Sequence, residues 1–362
     1  MKLNVFFKRF LYTYFFLSMQ FLCAITNNEL IENKNILILG GTGYLGRAIA
    51  TEVLKYNPNK VIIFSRDEVK HFNLTKIFGN NSKVQSIIGD IRDYNSLLQA
   101  TKSIDIVFHV AALKRMDALE SNVVEAIKTN ILGSLNVFNA CTTNNVDKVL
   151  FISTDKACSP INIYGACKFV SEKIFTNYDT NKITTKFIVT RFGNILESTG
   201  SVIPIFCDKI KNGEEVTLTD ERMTRFIVSK EEAVELIFDA LRYGVGGEIF
   251  VKRLPAMRII DLIQILKDTF NADNKIKVIG LRPGEKIDEV LINESEMART
   301  YEFNNHFIIK SSISDLSVTK ITPIYVANGK LINKLLMNQY SSDKAIVSKD
   351  ALKSLFIELG LI

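Results

Sequence analysis

Asn35-Ile36-Leu37-Ile38-Leu39 runs straight into Gly40-Gly41-Thr42-Gly43-Tyr44-Leu45-Gly46, and a helical pattern follows from Arg47 to Lys55. A short apolar run bounded by glycine reads as a buried strand. Glycines 40, 43 and 46 form G-x-x-G-x-x-G. Glycine allows a tight turn and close backbone approach to a pyrophosphate, and the following helix offers N–H donors and a positive dipole. Strand, glycines and helix in that order predict a dinucleotide site at Gly40, Thr42, Gly43, Tyr44, Leu45 and Gly46. A glycine-rich turn without a ligand is the plain alternative.

The alternation continues downstream. Lys60 to Phe64 predicts a second strand, ending in Ser65-Arg66-Asp67. An acidic residue there would take the ribose 2′-hydroxyl of NAD, whereas a guanidinium suits a 2′-phosphate. Ser65 and Arg66 come first, so NADP is the expected cofactor; Arg66 as a solvated loop charge is the alternative. Val84 to Ile88 predicts a third strand, followed by Asp90 and Ile91 and a helix from Tyr94 to Thr101. Asp90 is placed to accept from an adenine amine or to cap that helix. Asp105 to Val110 leads into Ala111-Ala112-Leu113-Lys114, where small residues let the backbone approach the cofactor. Lys114 lies at the same edge, available to a substrate phosphate or a cofactor hydroxyl. A long helix is expected from Val123 to Asn144, carrying Thr129 and Asn130. Strands alternating with helices predict an α/β fold with a doubly wound parallel sheet.

The next strand, Val149 to Ile152, delivers Ser153-Thr154-Asp155-Lys156, and Tyr164-Gly165-Ala166-Cys167-Lys168 follows. Tyr164 and Lys168 are four apart and share a helix face. An ammonium beside a phenol favours the phenolate, which lets tyrosine act as a base. Thr154 reaches the same site from the strand end, and Asp155 with Lys156 adds a second acid/base pair. A Tyr and Lys merely facing solvent is the competing reading.

Beyond Arg191 the pattern is less regular. Residues 1–34 are read as leader and linker, 35–190 as the NADP-binding domain, and 191–362 mainly as a substrate-binding lobe, with 226–251 returning to the first domain. Thr219 to Phe226 reads as a polar loop, and Arg282-Pro283-Gly284-Glu285-Lys286 as a turn whose two cations suit an anionic ligand. Arg222, Arg225 and Arg282 as surface charges are the alternative.

Composition narrows the function. The net charge of +6 is spread along the chain without a basic run, which supports an anionic small ligand and excludes nucleic acid as the expected partner. The five cysteines form no C-x-x-C and the three histidines stand far apart, so no metal is expected and a reducing compartment is the simpler reading. Lys8 and Arg9 precede an uncharged run from Phe10 to Ile25. That run resembles a targeting or anchoring segment. The expected cofactor is an intracellular one, so the expected location is cytoplasmic, with membrane association through residues 1–25 as an option.

The glycine turn together with Y-x-x-x-K resembles an extended short-chain dehydrogenase/reductase. Ala111 to Lys114, Lys128-Thr129-Asn130, Ser153 to Ala157, Asn162 to Lys168, Arg191 to Asn194, Met223 to Phe226 and Arg282 to Lys286 resemble, more narrowly, the inverting UDP-N-acetylglucosamine 4,6-dehydratases of surface-glycan pathways. The resemblance implies NADP, a UDP-N-acetylhexosamine substrate and a homo-oligomer. It implies that Tyr164 takes the 4-hydroxyl proton, with Lys168 and Thr154 assisting, that Lys156 removes the C5 proton, and that Asp155 helps expel the C6 hydroxyl. It adds Thr129, Tyr164 and Lys168 to the cofactor contacts, and assigns Lys114, Asn194, Val202, Thr224, Arg225, Arg282 and Glu285 to the substrate. The family's usual Tyr and Pro are here Ser121 and Val123, and its usual Thr is Cys167. A UDP-N-acetylhexosamine 4-epimerase, or a bifunctional enzyme, is the runner-up; an epimerase needs no base at C5.

Overall fold

The computed structural model describes residues 25–197, 202–313, 322–333 and 337–362. Strands β1 (Asn35–Leu39), β2 (Lys60–Ser65), β3 (Val84–Ile88), β4 (Ile106–His109), β5 (Lys148–Ile152) and β6 (Lys186–Arg191) pair in parallel, in the order β6-β5-β4-β1-β2-β3. Ile36 to Leu39 are wholly buried. A continuous apolar run is what a strand needs when helices cover both faces of its sheet. The chain passes from β1 outward to β3, then returns to lay β4 on the other side of β1. That reversal opens a crevice at the carboxyl ends of β1 and β4, where doubly wound sheets hold ligands.

The sheet is extended beyond β6 by Ile249–Lys252, His306–Ile309, Thr300–Phe303 and Lys330–Leu331. The hairpin Thr300–Phe303/His306–Ile309 turns through Asn304 and Asn305, both at positive φ, a turn that suits asparagine. Smaller sheets from Asn194–Ile195, Thr224–Val228 and Ala256–Arg258, and from Val290–Ile292 with Tyr340–Ser341, lie beyond the crevice. A second apolar core, with Leu218, Met223, Leu262, Leu266 and Phe356, supports them.

Three expectations are corrected. Thr224–Val228 is a buried strand, not part of a loop; its Thr and Arg look like loop residues, but their polar groups are bonded inside the protein. The expected long helix from Val123 contains a π-helical stretch, Ile127–Leu132, that carries Thr129 and Asn130; such wide turns are frequent at functional sites. The supposed linker holds a helix, Asn27–Ile31, capped by Thr26 and Glu29 and anchored by fully buried Ile31. Arg242 Nε donates to Ile25 O at 2.7 Å and ties it down.

The expected location is also corrected. Among the described residues no helix is long and apolar enough to cross a membrane. Residues 1–24, which hold nearly all of the uncharged run, lie outside the described residues.

Candidate active site

Two backbones nearly touch at the crevice. Gly40 sits at φ +79°, and a Cβ there would lie 2.7 Å from Ala111 Cα. A Cβ at Gly46 would lie 2.6 Å from Gly40 O. Both positions therefore require glycine. Gly43 caps the helix Tyr44–Leu54 and has no side chain to occupy the helix amino end. Tyr44, the first residue of that helix, donates from its hydroxyl to Glu197 Oε2 at 2.9 Å. Leu45 is buried beneath the turn.

The residues expected around the cofactor line the same edge. Thr42 Oγ1 is 2.9 Å from Ser65 Oγ, and His71 Nε2 is 3.1 Å from that same oxygen. Arg66 is half exposed. Asp90 is not free: its carboxylate accepts from Arg92 Nε at 2.9 Å and Nη2 at 2.6 Å, and stands 3.8 Å from Arg66. Partial burial opposes that charge, but the Arg92 bonds outweigh it and hold the carboxyl below its ordinary range. Ile91 packs under Gly133. Asn130 pins the Ala111–Lys114 loop, accepting from Leu113 N and donating to Leu113 O, both at 2.8 Å. Ala112 is half-buried in that loop. Burial draws the Lys114 ammonium down. Thr129 Oγ1 is buried without a hydrogen-bond partner.

At the end of β5 the chain makes one 3-10 turn, Asp155–Ala157, capped by Thr154. The helix Ile163–Thr176 lies so close that a Cβ on Gly165 would be 2.2 Å from Lys156 O. Asp155 is wholly buried. Its Oδ1 accepts from Thr154 Oγ1 at 2.9 Å and from Lys156 Nζ at 3.0 Å. Lys156 Nζ also donates to Asn194 Oδ1 at 3.4 Å and stands 3.6 Å from Glu289 Oε1. Burial works against this ammonium, but Asp155 and Glu289 outweigh it and hold Lys156 above its ordinary range. The Tyr164 phenol is raised to about 12 on balance: desolvation and Asp155 push it up, and Lys156 and a hydrogen bond with Thr154 lower it.

The expected pairing of Tyr164 with Lys168 is not what this geometry gives. Lys168 Nζ donates to Ile152 O at 2.7 Å and lies 4.4 Å from the Phe151 ring centre. Burial brings its ammonium down to about 7, against the pull of Glu172. The long lysine side chain reaches back to β5, so the cation acting on the phenol is Lys156.

The site is braced from below. Arg191, fully buried, donates to Glu172 Oε1 at 3.0 Å, Glu296 Oε2 at 2.9 Å and Leu291 O at 2.7 Å. Ser153 Oγ donates to Glu172 Oε1 at 2.6 Å. The strand end, the Tyr164 helix and the C-terminal segments are thereby joined. Asn162 Nδ2 donates to Gly284 O at 2.8 Å, docking the Arg282–Lys286 turn on the same helix.

The expected substrate contacts divide. Asn194 faces Lys156 directly. Thr224 Oγ1 donates to Asp288 Oδ1 at 2.6 Å, and Arg225 spends its guanidinium on the carbonyls of Thr224, Ile287 and Lys286. Both are buried and bonded to their own chain. Arg282 is exposed, Glu285 is half-buried with Oε2 unpartnered, and Val202 opens the helix Val202–Lys211. Sequence reasoning missed Glu289. It stands three residues after Lys286 in an aperiodic loop, and no spacing linked it to Lys156.

Residues 36–311 match the family model described as polysaccharide biosynthesis protein. A UDP-N-acetylglucosamine 4,6-dehydratase (inverting) of Campylobacter jejuni is 43% identical over 303 residues, covering 81% of this chain and 89% of its own. A UDP-glucose 4-epimerase of Rickettsia bellii is 40% identical over 336 residues, covering 91% and 97%. The crystal structure of Pen from Bacillus thuringiensis is 37% identical and superposes with a TM-score of 0.83 over 92% of this chain and 99% of its own. A dTDP-glucose 4,6-dehydratase from Streptomyces venezuelae, at 20% identity and a TM-score of 0.62, covering 70% and 86%, shares the fold.

Proposed function

The chain belongs to the polysaccharide biosynthesis protein family, and from that premise we propose that it is a UDP-N-acetylglucosamine 4,6-dehydratase that inverts C5. The observation carrying this reading is the Asp155–Lys156 contact of 3.0 Å beside Tyr164. Oxidation at C4 and its reversal need one acid/base group; an elimination across C5 and C6 needs another. The Campylobacter relative's name supports the same assignment.

A nicotinamide dinucleotide fits the residues present. Gly40 and Gly46 let the turn pack tightly on Ala111 and on itself, and the helix end behind Gly43, free of any side-chain cap, suits a pyrophosphate. Ser65 and Arg66 at the β2 end favour the 2′-phosphate of NADP, and Asp67 just beyond them is engaged as the cap of the next helix, accepting from Lys70 N at 3.0 Å. A nicotinamide dinucleotide held there would supply the hydride acceptor for C4 and the donor for C6. Tyr164 rests as a phenol and must first lose its proton to solvent, a loss that the Lys156 ammonium and the Thr154 hydrogen bond favour; as the phenolate it takes the 4-hydroxyl proton. Ketone formation at C4 acidifies the C5 proton. Lys156 rests as an ammonium, so it must first give up a proton. Asp155 takes it across 3.0 Å and holds it until the C6 hydroxyl departs. The freed amine then removes the C5 proton, and Lys156 is again an ammonium. The C5 electron pair expels the C6 hydroxyl, which takes the proton held by Asp155 and leaves as water; hydride return at C6 is matched by a solvent-derived proton added to C5 on the opposite face.

A homo-oligomer belongs to this proposal. Val124, Ile127, Leu132 and Phe169 leave an exposed apolar surface on the helical segments flanking the site. The epimerase reading is favoured only by the names of the Rickettsia relatives. Incubation with UDP-N-acetylglucosamine in deuterated water separates the two. A 4-keto-6-deoxy product with deuterium at an inverted C5 is expected. A 4-epimer without deuterium would establish the epimerase.

A further inference from the structure

We propose that Glu289 is a positioning residue that orients Lys156 so that Asp155 alone exchanges its proton. An ammonium has three N–H groups. Lys156 Nζ has three oxygen neighbours: Asp155 Oδ1 at 3.0 Å, Asn194 Oδ1 at 3.4 Å and Glu289 Oε1 at 3.6 Å. The two carboxylates differ in their company. Asp155 pairs with Lys156 alone among the described ion pairs. Glu289 Oε1 also stands 3.8 Å from Arg225 Nε, and its Oε2 is 4.0 Å from Lys286 Nζ. Those two cations keep the Glu289 charge compensated when Lys156 becomes neutral, so the proton moves to Asp155. The neutral amine retains two N–H groups for Asn194 and Glu289. Its lone pair is left on the third side, where Asp155 was bonded.

Glu289 is itself fixed. Its N–H donates to Ser342 Oγ and its carbonyl accepts from Ser342 N, both at 2.9 Å. Ser342 Oγ is in turn 2.6 Å from Thr224 Oγ1. The side chain is 3% exposed and Oε2 has no hydrogen-bond partner. The C-terminal Tyr340-Ser341-Ser342 stretch thereby acts on the catalytic lysine by way of Glu289. The charged groups facing Lys156 are Asp155, Glu289 and Arg225, with the titratable Tyr164 phenol beside it; those facing Glu289 are Lys156, Arg225 and Lys286.

This inference rests on the dehydratase reading, and its test separates the two. Wild type, Glu289→Gln and Glu289→Asp are given UDP-N-acetylglucosamine and NADP in deuterated water. Reduced-cofactor absorbance in a single turnover reports C4 oxidation, and NMR reports C5 exchange across a pH series. Glutamine should leave C4 oxidation within about threefold of wild type while C5 exchange falls about 100-fold. Removing a carboxylate lowers the proton affinity of Lys156, so the alkaline limb of C5 exchange should move down by about one pH unit or more. Aspartate keeps the charge farther away and should shift the limb less and recover much of the rate. An unmoved limb in both variants, or parallel loss of C4 oxidation and C5 exchange, would reduce Glu289 to a packing role and overturn the inference. If wild type shows no C5 exchange at all, the dehydratase reading itself fails.

Discussion

Lys168 and Lys156 lie on either side of the β5 end, and their surroundings drive them in opposite directions. Lys168 meets a carbonyl and an aromatic ring, and burial brings it down to about 7. Lys156 is also largely removed from solvent, yet two carboxylates hold it as a firm ammonium. Burial alone therefore does not decide the charge of a lysine; the company of carboxylates does. The comparison extends to the two sides of the crevice. The cofactor edge is built largely from backbone and glycines, contiguous in the chain. The proton-handling side is assembled from side chains at 154–156, 164, 194, 225 and 286–289.

The largest expected effect breaks the side of the comparison that oxidises C4. Tyr164→Phe should slow reduced-cofactor formation about 1000-fold in a single turnover, while leaving NADP binding by calorimetry intact. Normal reduction would show that another group takes the 4-hydroxyl proton.

Stability against pH separates the two lysines next. The Lys168 pKa is lowered by folding, so burying its charge costs stability below pH 7, and that cost fades as pH rises toward the ordinary lysine value. Lys168→Met should therefore gain melting temperature relative to wild type on going from pH 9 to pH 7. The Lys156 pKa is raised, so its contribution is fully present below the ordinary lysine value and is lost only at higher pH. Lys156→Met should lose melting temperature at pH 7 and show no such gain. Parallel behaviour of the two variants would dissolve the comparison.

Gly165→Ala tests the closeness that brings the two lysines together. Its Cβ would meet Lys156 O at 2.2 Å, and an overpacked contact of this kind costs about 1–3 kcal/mol. Thermal unfolding should show that loss, with both C4 oxidation and C5 exchange reduced. The smallest effect belongs to the cofactor edge. Arg66→Ala should weaken NADP about tenfold more than NAD in a titration, as loss of one charge-assisted contact at an exposed site implies. Equal weakening would remove the 2′-phosphate argument.

These contrasts also explain what could be read from the chain. Asn35 to Gly46 declared its role because strand, turn and helix are consecutive and each glycine answers to a local steric demand. Ser153 to Lys168 was legible for the same reason: the strand end and the helix are joined by a short connection. The bond of Lys168 to Ile152 O was not legible because helix periodicity gives the face a side chain leaves from, not where its terminal nitrogen arrives. Thr224–Val228 was hidden because Thr224 and Arg225 are polar residues whose bonds are all internal. The hairpin at 300–309 went unmarked because its Asn304-Asn305 turn lacks glycine. Glu289 was out of reach, since its partner lies more than 130 positions away along the chain and no repeat connects them.

The division of labour between the two sides is tested most directly by Lys156→Ala with UDP-N-acetylglucosamine and NADP in a single turnover, followed by absorbance and NMR. If Tyr164 takes the C4 hydroxyl proton and Lys156 handles C5, reduced cofactor should form, more slowly because the phenol loses its neighbouring cation, and should persist, with no deuterium at C5 and no 6-deoxy product. Turnover to the 6-deoxy sugar at the wild-type rate would contradict the account, because some other group would then be removing the C5 proton.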